Sequence, residues 1–303
     1  MLETLLDNGF AYHDTDSERF AAELEAAADE ARSSPAHLVR YLRFSMHTIG
    51  EHLGDWPRAV RLADRVLDGQ ASDSATAKAW AHQSVARLLA GDGVGAADAE
   101  LTYLAAAGDD FRAPVVEARF MLAAALVGSR RPHEAAGVYE GALALARTLG
   151  AAAPARAIAV ASNNLATDIL ERAERSAAET ALMRQAADAA HEYWLRCGDW
   201  TNDERALYLK AMVANAVDDP STALRLAERA LDIIAEHGGE QVDETFLHLT
   251  RAHALKLAGD ADASERALAE ADAGAATWDE EGLRSWYAGE RARVMGEAPA
   301  EVA

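Results

Sequence analysis

Apolar positions along this chain recur at helical spacing, and no β-branched run alternates with a period of two. The pattern predicts helices and no sheet. The helices follow a repeating phrase, a glycine or charged turn and then an alanine-led segment. It reads Gly54-Asp55-Trp56-Pro57-Arg58-Ala59, Gly91-Asp92-Gly93-Val94-Gly95-Ala96 and Arg130-Arg131-Pro132-His133-Glu134-Ala135 in the first half. In the second half it reads Ala173-Glu174-Arg175-Ser176-Ala177-Ala178, Asp218-Asp219-Pro220-Ser221-Thr222-Ala223 and Gly259-Asp260-Ala261-Asp262-Ala263-Ser264. Counted from the last residue of each, the steps are 37, 39, 43, 45 and 41 residues. A period of that size predicts stacked helical hairpins, each unable to bury its apolar face alone.

The predicted pairs span 35–53 and 57–68, 74–90 and 95–107, 113–128 and 132–149. They continue with 154–171 and 176–197, 201–217 and 221–237, 241–258 and 261–274. Prolines 35, 57, 114, 132, 154 and 220 fall where these helices begin, the place where a missing N–H costs nothing. An N-terminal helix near 16–32, opened by Thr15, Asp16 or Ser17, makes residues 1–34 a capping region. A C-terminal helix near 278–295, with Trp278, Trp286 and Tyr287, caps the other end of the 35–275 array within 276–296. Residues 297–303 read as a disordered tail. Short linkers make consecutive helices antiparallel neighbours.

The hairpins resemble tetratricopeptide repeats, in a form of about forty residues rather than 34. That family places small residues where paired helices touch. The matching positions here are Ala123, Ala135 and Ala142, then Ala166 and Ala178, then Ala211, Ala223 and Ala230, then Ala252 and Ala271. Trp80 and Tyr139 match its aromatics. The first pair departs from the pattern, with His47 where a small residue is expected and Gly50 where a large one is. The resemblance implies an all-α, right-handed solenoid of about six antiparallel helix pairs with terminal capping helices.

Composition agrees with close-packed helices: 73 alanines against 19 aromatics among 303 residues. The net charge of −21 argues against nucleic acid and anionic lipid as partners, since both are bound through clustered Lys and Arg. The densest basic pair, Arg130-Arg131, sits in a turn. One cysteine, Cys197, excludes an intramolecular disulfide framework and a multi-cysteine zinc site. The N-terminus lacks the basic region and apolar core of a secretory signal, and no stretch reaches the ~18 apolar residues of a membrane helix, so a cytoplasmic location is expected.

Candidate chemistry is sparse. Gly91 to Gly95 follows an amphipathic helix instead of a strand and reads as an inter-helix turn, not a phosphate loop. His47 and His52 are five apart, as are His248 and His253, so neither pair shares a helix face as i, i+4 metal ligands would, and a metal site would need tertiary convergence. No metal and no cofactor are expected. Cys197 ends a helix, away from the helix N-terminus at which nucleophilic cysteines are found, and reads as a small residue at a helix end. The carboxylate pairs lie at turns and helix starts, where capping accounts for them. The cluster His191, Tyr193, Trp194, Trp200 and Tyr208 is either a packing plug between repeats or a ligand-facing wall.

The family binds along a concave face lined by first helices. The resemblance places Tyr41 and Phe44, Lys78 and Val85, and Phe120 on that face in the first three pairs. In the later pairs it places Asn163 and Thr167, then Arg205, Tyr208, Met212 and Asn215, then Leu249, His253 and Lys256. Asn163 is either a ligand-backbone clamp or an inter-helix hydrogen bonder. The leading expectation is a scaffold or adaptor that binds a protein or extended peptide and does no chemistry itself. A bacterial-type regulatory sensor that closes on a peptide or metabolite is the alternative, and an enzyme with a grafted site the third. Self-association stays open.

Overall fold

The computed structural model describes residues 2–108 and 110–296, and among these every regular element is helical. The chain divides into two compact units, one ending at Pro154 and the other beginning at Ala155. The expected tail, 297–303, lies outside the described residues.

The repeated phrase is a helix stop joined directly to a helix start. In five of the six phrases the first residue takes left-handed backbone: φ is 69° at Gly54, 87° at Gly91, 58° at Arg130, 57° at Asp218 and 81° at Gly259. Glycine tolerates that conformation because it has no Cβ to clash. In four phrases the next residue is an aspartate that caps the following helix. Asp55 accepts from the Arg58 N–H at 2.9 Å, Asp92 from Gly95 at 2.9 Å, Asp219 from Thr222 at 3.2 Å and Asp260 from Ala263 at 3.0 Å. Of the other two, Arg131 offers no side-chain cap, and Ser176 caps its helix with Glu179 completing a capping box. The same turns close with a backbone bond five residues back, Asp92 N–H to Arg87 O at 2.9 Å and Asp260 N–H to Leu255 O at 3.0 Å. At the first phrase the bond spans six residues, Asp55 N–H to Ile49 O at 2.9 Å. The helix before it has absorbed one extra residue.

In the first unit α1 (Leu2–Asn8), α2 (Ser17–Ala26) and α3 (Ala28–Arg32) lie against α4 (Pro35–Ser45). The sequence pattern predicts one helix over 16–32; the structure breaks it at Ala27 and adds α1. Asp16 is the N-cap, accepting from the Arg19 N–H. Helix α4 runs on as a π-helix over Met46–His52, where the extra residue sits. Then come α5 (Trp56–Leu67), α6 (Ala77–Leu89), α7 (Gly93–Ala107), α8 (Arg112–Gly128) and α9 (Pro132–Leu149). Helix α6 pairs with α7 and α8 with α9, while the first helices α4, α6 and α8 pack side by side.

The second unit repeats the scheme with α10 (Ala155–Leu170) on α11 (Ala177–Cys197), α12 (Trp200–Ala216) on α13 (Pro220–His237) and α14 (Gln241–Leu257) on α15 (Ala261–Ala275). The first helices α10, α12 and α14 again adjoin in order, and α16 (Glu281–Met295) covers α14. One core joins Leu207, Ala211, Leu226, Ile233, Ile234 and Leu247. The next joins Phe246, Leu249, Ala271 and Ala275 to Trp278 and Tyr287 from the C-terminal segment.

The alanines explain the close pairing. Ala123, Ala135, Ala166, Ala211, Ala223, Ala230, Ala252 and Ala271 have no exposed surface at all, and Ala142 retains only 2%, whereas Ala178, expected at the same kind of contact, is only half-buried. A methyl there lets two backbones approach where a longer side chain would hold them apart.

Candidate metal centre and docking surface

The π-helix changes the chemistry of the first hairpin. On an α-helix, residues five apart diverge; in a π-helix, bonded i to i+5, they sit one above the other. His47 and His52 therefore share a face, their ring centroids 4.5 Å apart and their Nε2 atoms 3.1 Å apart. The spacing argument that separated them holds only for an α-helix. His13, from the segment before α2, brings its Nε2 to 3.2 Å from that of His47. Asp14 Oδ1 lies 3.1 Å from His13 Nε2 and 3.3 Å from His52 Nε2. Ligating atoms of all four residues fall within 4.8 Å of one another, a donor set that can hold a divalent ion.

Neighbouring residues fix this geometry. His47 Nδ1 lies 2.7 Å from Glu51 Oε2. The stem of Glu51 is seated against Gly128 of α8, where any Cβ would meet Glu51 Cβ at 2.9 Å. Gly50 admits the ring of Trp56, which a Cβ would meet at 2.4 Å. The two departures from the repeat pattern, His47 and Gly50, thus belong to one local arrangement. His13 is buried, His47 half-buried, and Asp14 and His52 face the solvent. Burial, with His47 next to it, lowers the pKa of His52.

The expected groove residues do not form one surface. Tyr41 is fully buried and donates its hydroxyl to Leu24 O at 2.6 Å. Phe44 packs edge-on against Phe20 at 6.0 Å between centroids. The N-terminal helices cover that face of α4, so neither residue is available to a ligand. Val85, Phe120 and Leu249 are buried as well. Asn215 is buried, its amide donating to Thr250 O at 3.0 Å, which makes it an inter-helix hydrogen bonder and removes it from any groove. Lys78 is exposed and pairs with Glu117 at 2.8 Å. Asn163, Thr167 and Met212 are half-buried, with the Thr167 hydroxyl donating to Asn163 O at 3.0 Å.

At the C-terminal end, α16 lies over the sixth pair. Lys256 donates to Met295 O at 2.6 Å, capping α16. His253 is half-buried, and burial, then Arg293 and Lys256, lowers its pKa. Tyr208 packs against both cores of this unit. Arg205 is exposed but engaged, 2.7 Å from Asp243 Oδ2 and 2.9 Å from Glu240 Oε2. Beside it Glu204 is fully buried, and desolvation, with Asp243 alongside, pushes its carboxyl up to about 8. The aromatic cluster is packing: Tyr193 is core, and Trp200 stacks on His237 at 4.7 Å.

Sequence reasoning missed a surface in the first unit. Eight large hydrophobics are exposed among the described residues, and four lie between 88 and 111: Leu88 at 46%, Val94 at 85%, Leu101 at 67% and Phe111 at 55%. Val94 and Leu101 are seven apart on α7, hence on one helix face. A cavity of about 190 Å³ opens between α6, α7 and α8, lined by Ala81, Val85, Ala97, Tyr103 and Leu122 together with the exposed Leu88. In the second unit a cavity of about 150 Å³ lies between α11, α12 and α13.

No protein-family model matches the chain, and no curated protein does. Among solved structures it is similar to BtubC (BKLC) from P. vanneervenii, at 18% identity over 88% of this chain and 95% of that one, with a TM-score of 0.48. No helix of the described residues is long and apolar enough to cross a membrane.

Proposed function

We propose that this protein is a docking module whose hairpins stack in the right-handed tetratricopeptide manner within each unit, and which binds a protein or extended peptide without chemistry of its own. The observation that carries the reading is the exposed pair Val94 and Leu101 on one face of α7, with Leu88 lining the crevice between α6, α7 and α8. A soluble surface rarely gathers large apolar groups in this way unless they meet a partner. The binding face moves accordingly, from the first helices, whose apolar positions are buried, to α7 and the crevice beside it. The partner contributes an apolar-faced segment, and the net charge of −21 favours one flanked by Lys or Arg. Nucleic acid and anionic membrane are disfavoured by the same charge.

Cavity size favours this reading over the metabolite sensor. At about 190 and 150 Å³ both cavities are smaller than the roughly 300–1,000 Å³ of small-molecule pockets, and suit a single anchoring side chain. The test compares proteins captured from the native host by the intact chain and by Val94→Glu/Leu101→Glu. Both positions are exposed, so the double variant should melt within about 0.5 kcal/mol per site of the wild type. Specific capture should fall at least about tenfold, the loss a disrupted interface anchor gives. Identical capture profiles from two equally stable proteins would remove the docking assignment.

A further inference from the structure

We propose that His13, Asp14, His47 and His52 form a four-ligand site for a divalent transition-metal ion of the zinc class, with Glu51 holding His47 in the ligating tautomer. The case is geometric. A tetrahedral ion with bonds of about 2.0–2.1 Å sets its donors about 3.3 Å apart. Four of the six donor–donor edges here measure 3.1, 3.2, 3.1 and 3.3 Å, linking the three imidazole Nε2 atoms and Asp14 Oδ1 in a ring, and the two cross distances stay within 4.8 Å. Three imidazoles and one carboxylate select zinc-like ions over the oxygen-seeking calcium and magnesium.

The tautomer follows from the second ring nitrogen. Glu51 Oε2, 2.7 Å from His47 Nδ1, accepts that N–H and leaves the Nε2 lone pair directed at the cluster. A carboxylate behind a histidine is the usual support of a ligating imidazole. The π-helix is the second piece of the design, since it alone brings residues 47 and 52 onto one face. Such insertions concentrate at functional positions. The solvent-facing Asp14 and His52 leave the ion a way in.

A site closed by four protein ligands is structural rather than catalytic. It ties the segment before α2 to the end of the first helix of the first hairpin, across 34 residues of sequence from His13 to His47. The ion thereby fastens the N-terminal cap onto α4. This inference rests on the segment before α2 and the first hairpin, and stands apart from the docking surface on α7.

The experiment uses the full chain without a histidine tag, stripped with a chelator and titrated with Zn²⁺ against a chromogenic competitor, the metal content being read by mass spectrometry. One Zn²⁺ per chain is expected, with Co²⁺ giving the visible absorption of tetrahedral coordination. Glu51→Gln should weaken binding about 10–100-fold, the effect of losing a supporting carboxylate, while keeping the circular dichroism of the wild type. His52→Ala and Asp14→Asn, at solvent-facing positions, should weaken it at least as much, and His248→Ala should leave it unchanged. Zn²⁺ should raise the melting temperature of the wild type and not of His52→Ala. Absence of stoichiometric binding by the folded wild-type chain, or equal affinity in wild type, His52→Ala and Asp14→Asn, would overturn the site. A melt unchanged by saturating Zn²⁺ would overturn its fastening role.

Discussion

Replacing Ala211 with leucine tests the packing scheme at its tightest point. Ala211 has no exposed surface and lies among Leu207, Leu226, Ala227, Ala230 and Ile233, where α12 meets α13. Leucine adds three carbons. With free space they would bring roughly 2 kcal/mol of favourable burial, at about 0.8 kcal/mol per methylene. A filled site offers none, and overpacking of this kind ends as a net loss of about 1–3 kcal/mol. For a unit of this size each kcal/mol moves the melting temperature by about 2–4 °C, so a fall of roughly 2–12 °C is expected. Helix propensity does not contribute, because alanine and leucine are both strong helix formers. The assay is a thermal melt followed by circular dichroism, with Ala181→Leu on the exposed face of α11 as control. Ala166→Leu, equally buried in α10, should behave like Ala211→Leu. If either buried variant melts within a degree of the control, the helices are not in contact where the alanines place them.

Two further outcomes follow from the second unit. Glu204 is a carboxyl raised from the ordinary 4.5 to about 8, so it stabilises the fold when protonated, and that contribution is lost as pH rises from about 4.5 through 8. Glu204→Gln should match the wild type near pH 5 and melt higher at pH 9; parallel melting curves across that range would refute the buried-carboxyl account. Deleting 278–295 removes Trp278 and Tyr287 from their core and uncovers Phe246 and Leu249, so the shortened chain should self-associate in size-exclusion chromatography and melt earlier. A soluble monomer as heat-stable as the full chain would show that α16 is not a cap.

What could be read from the residues was the locally encoded part. The Gly-Asp turn needs only a left-handed stop and an aspartate cap, so the helix starts at Trp56, Gly93, Pro220 and Ala261 were legible to within two residues. The contact alanines were legible for the same reason, a small residue recurring at one register. The candidate sites were not. Which face of α4 stays open depends on α1, α2 and α3 folding back over it, and this buries Tyr41 and Phe44. Lys256 is claimed by the carbonyls of α16, and Asn215 by Thr250 on the next first helix. The histidine cluster depends on a π-turn and on residues 34 apart, neither of which leaves a periodic trace. Its one signal was the departure of His47 and Gly50 from the repeat pattern. The exposure of Val94 and Leu101 follows from how little α7 packs on α8, a tertiary outcome.

The docking claim is tested most directly by placing a photo-crosslinking phenylalanine derivative at position 101 in the native host, with the same residue at exposed Arg225 as control. The account predicts one dominant covalent adduct from position 101, to a protein other than this one, suppressed by adding Val94→Glu and absent from position 225. Adducts indistinguishable from the control, or an adduct of two copies of this chain, would contradict it.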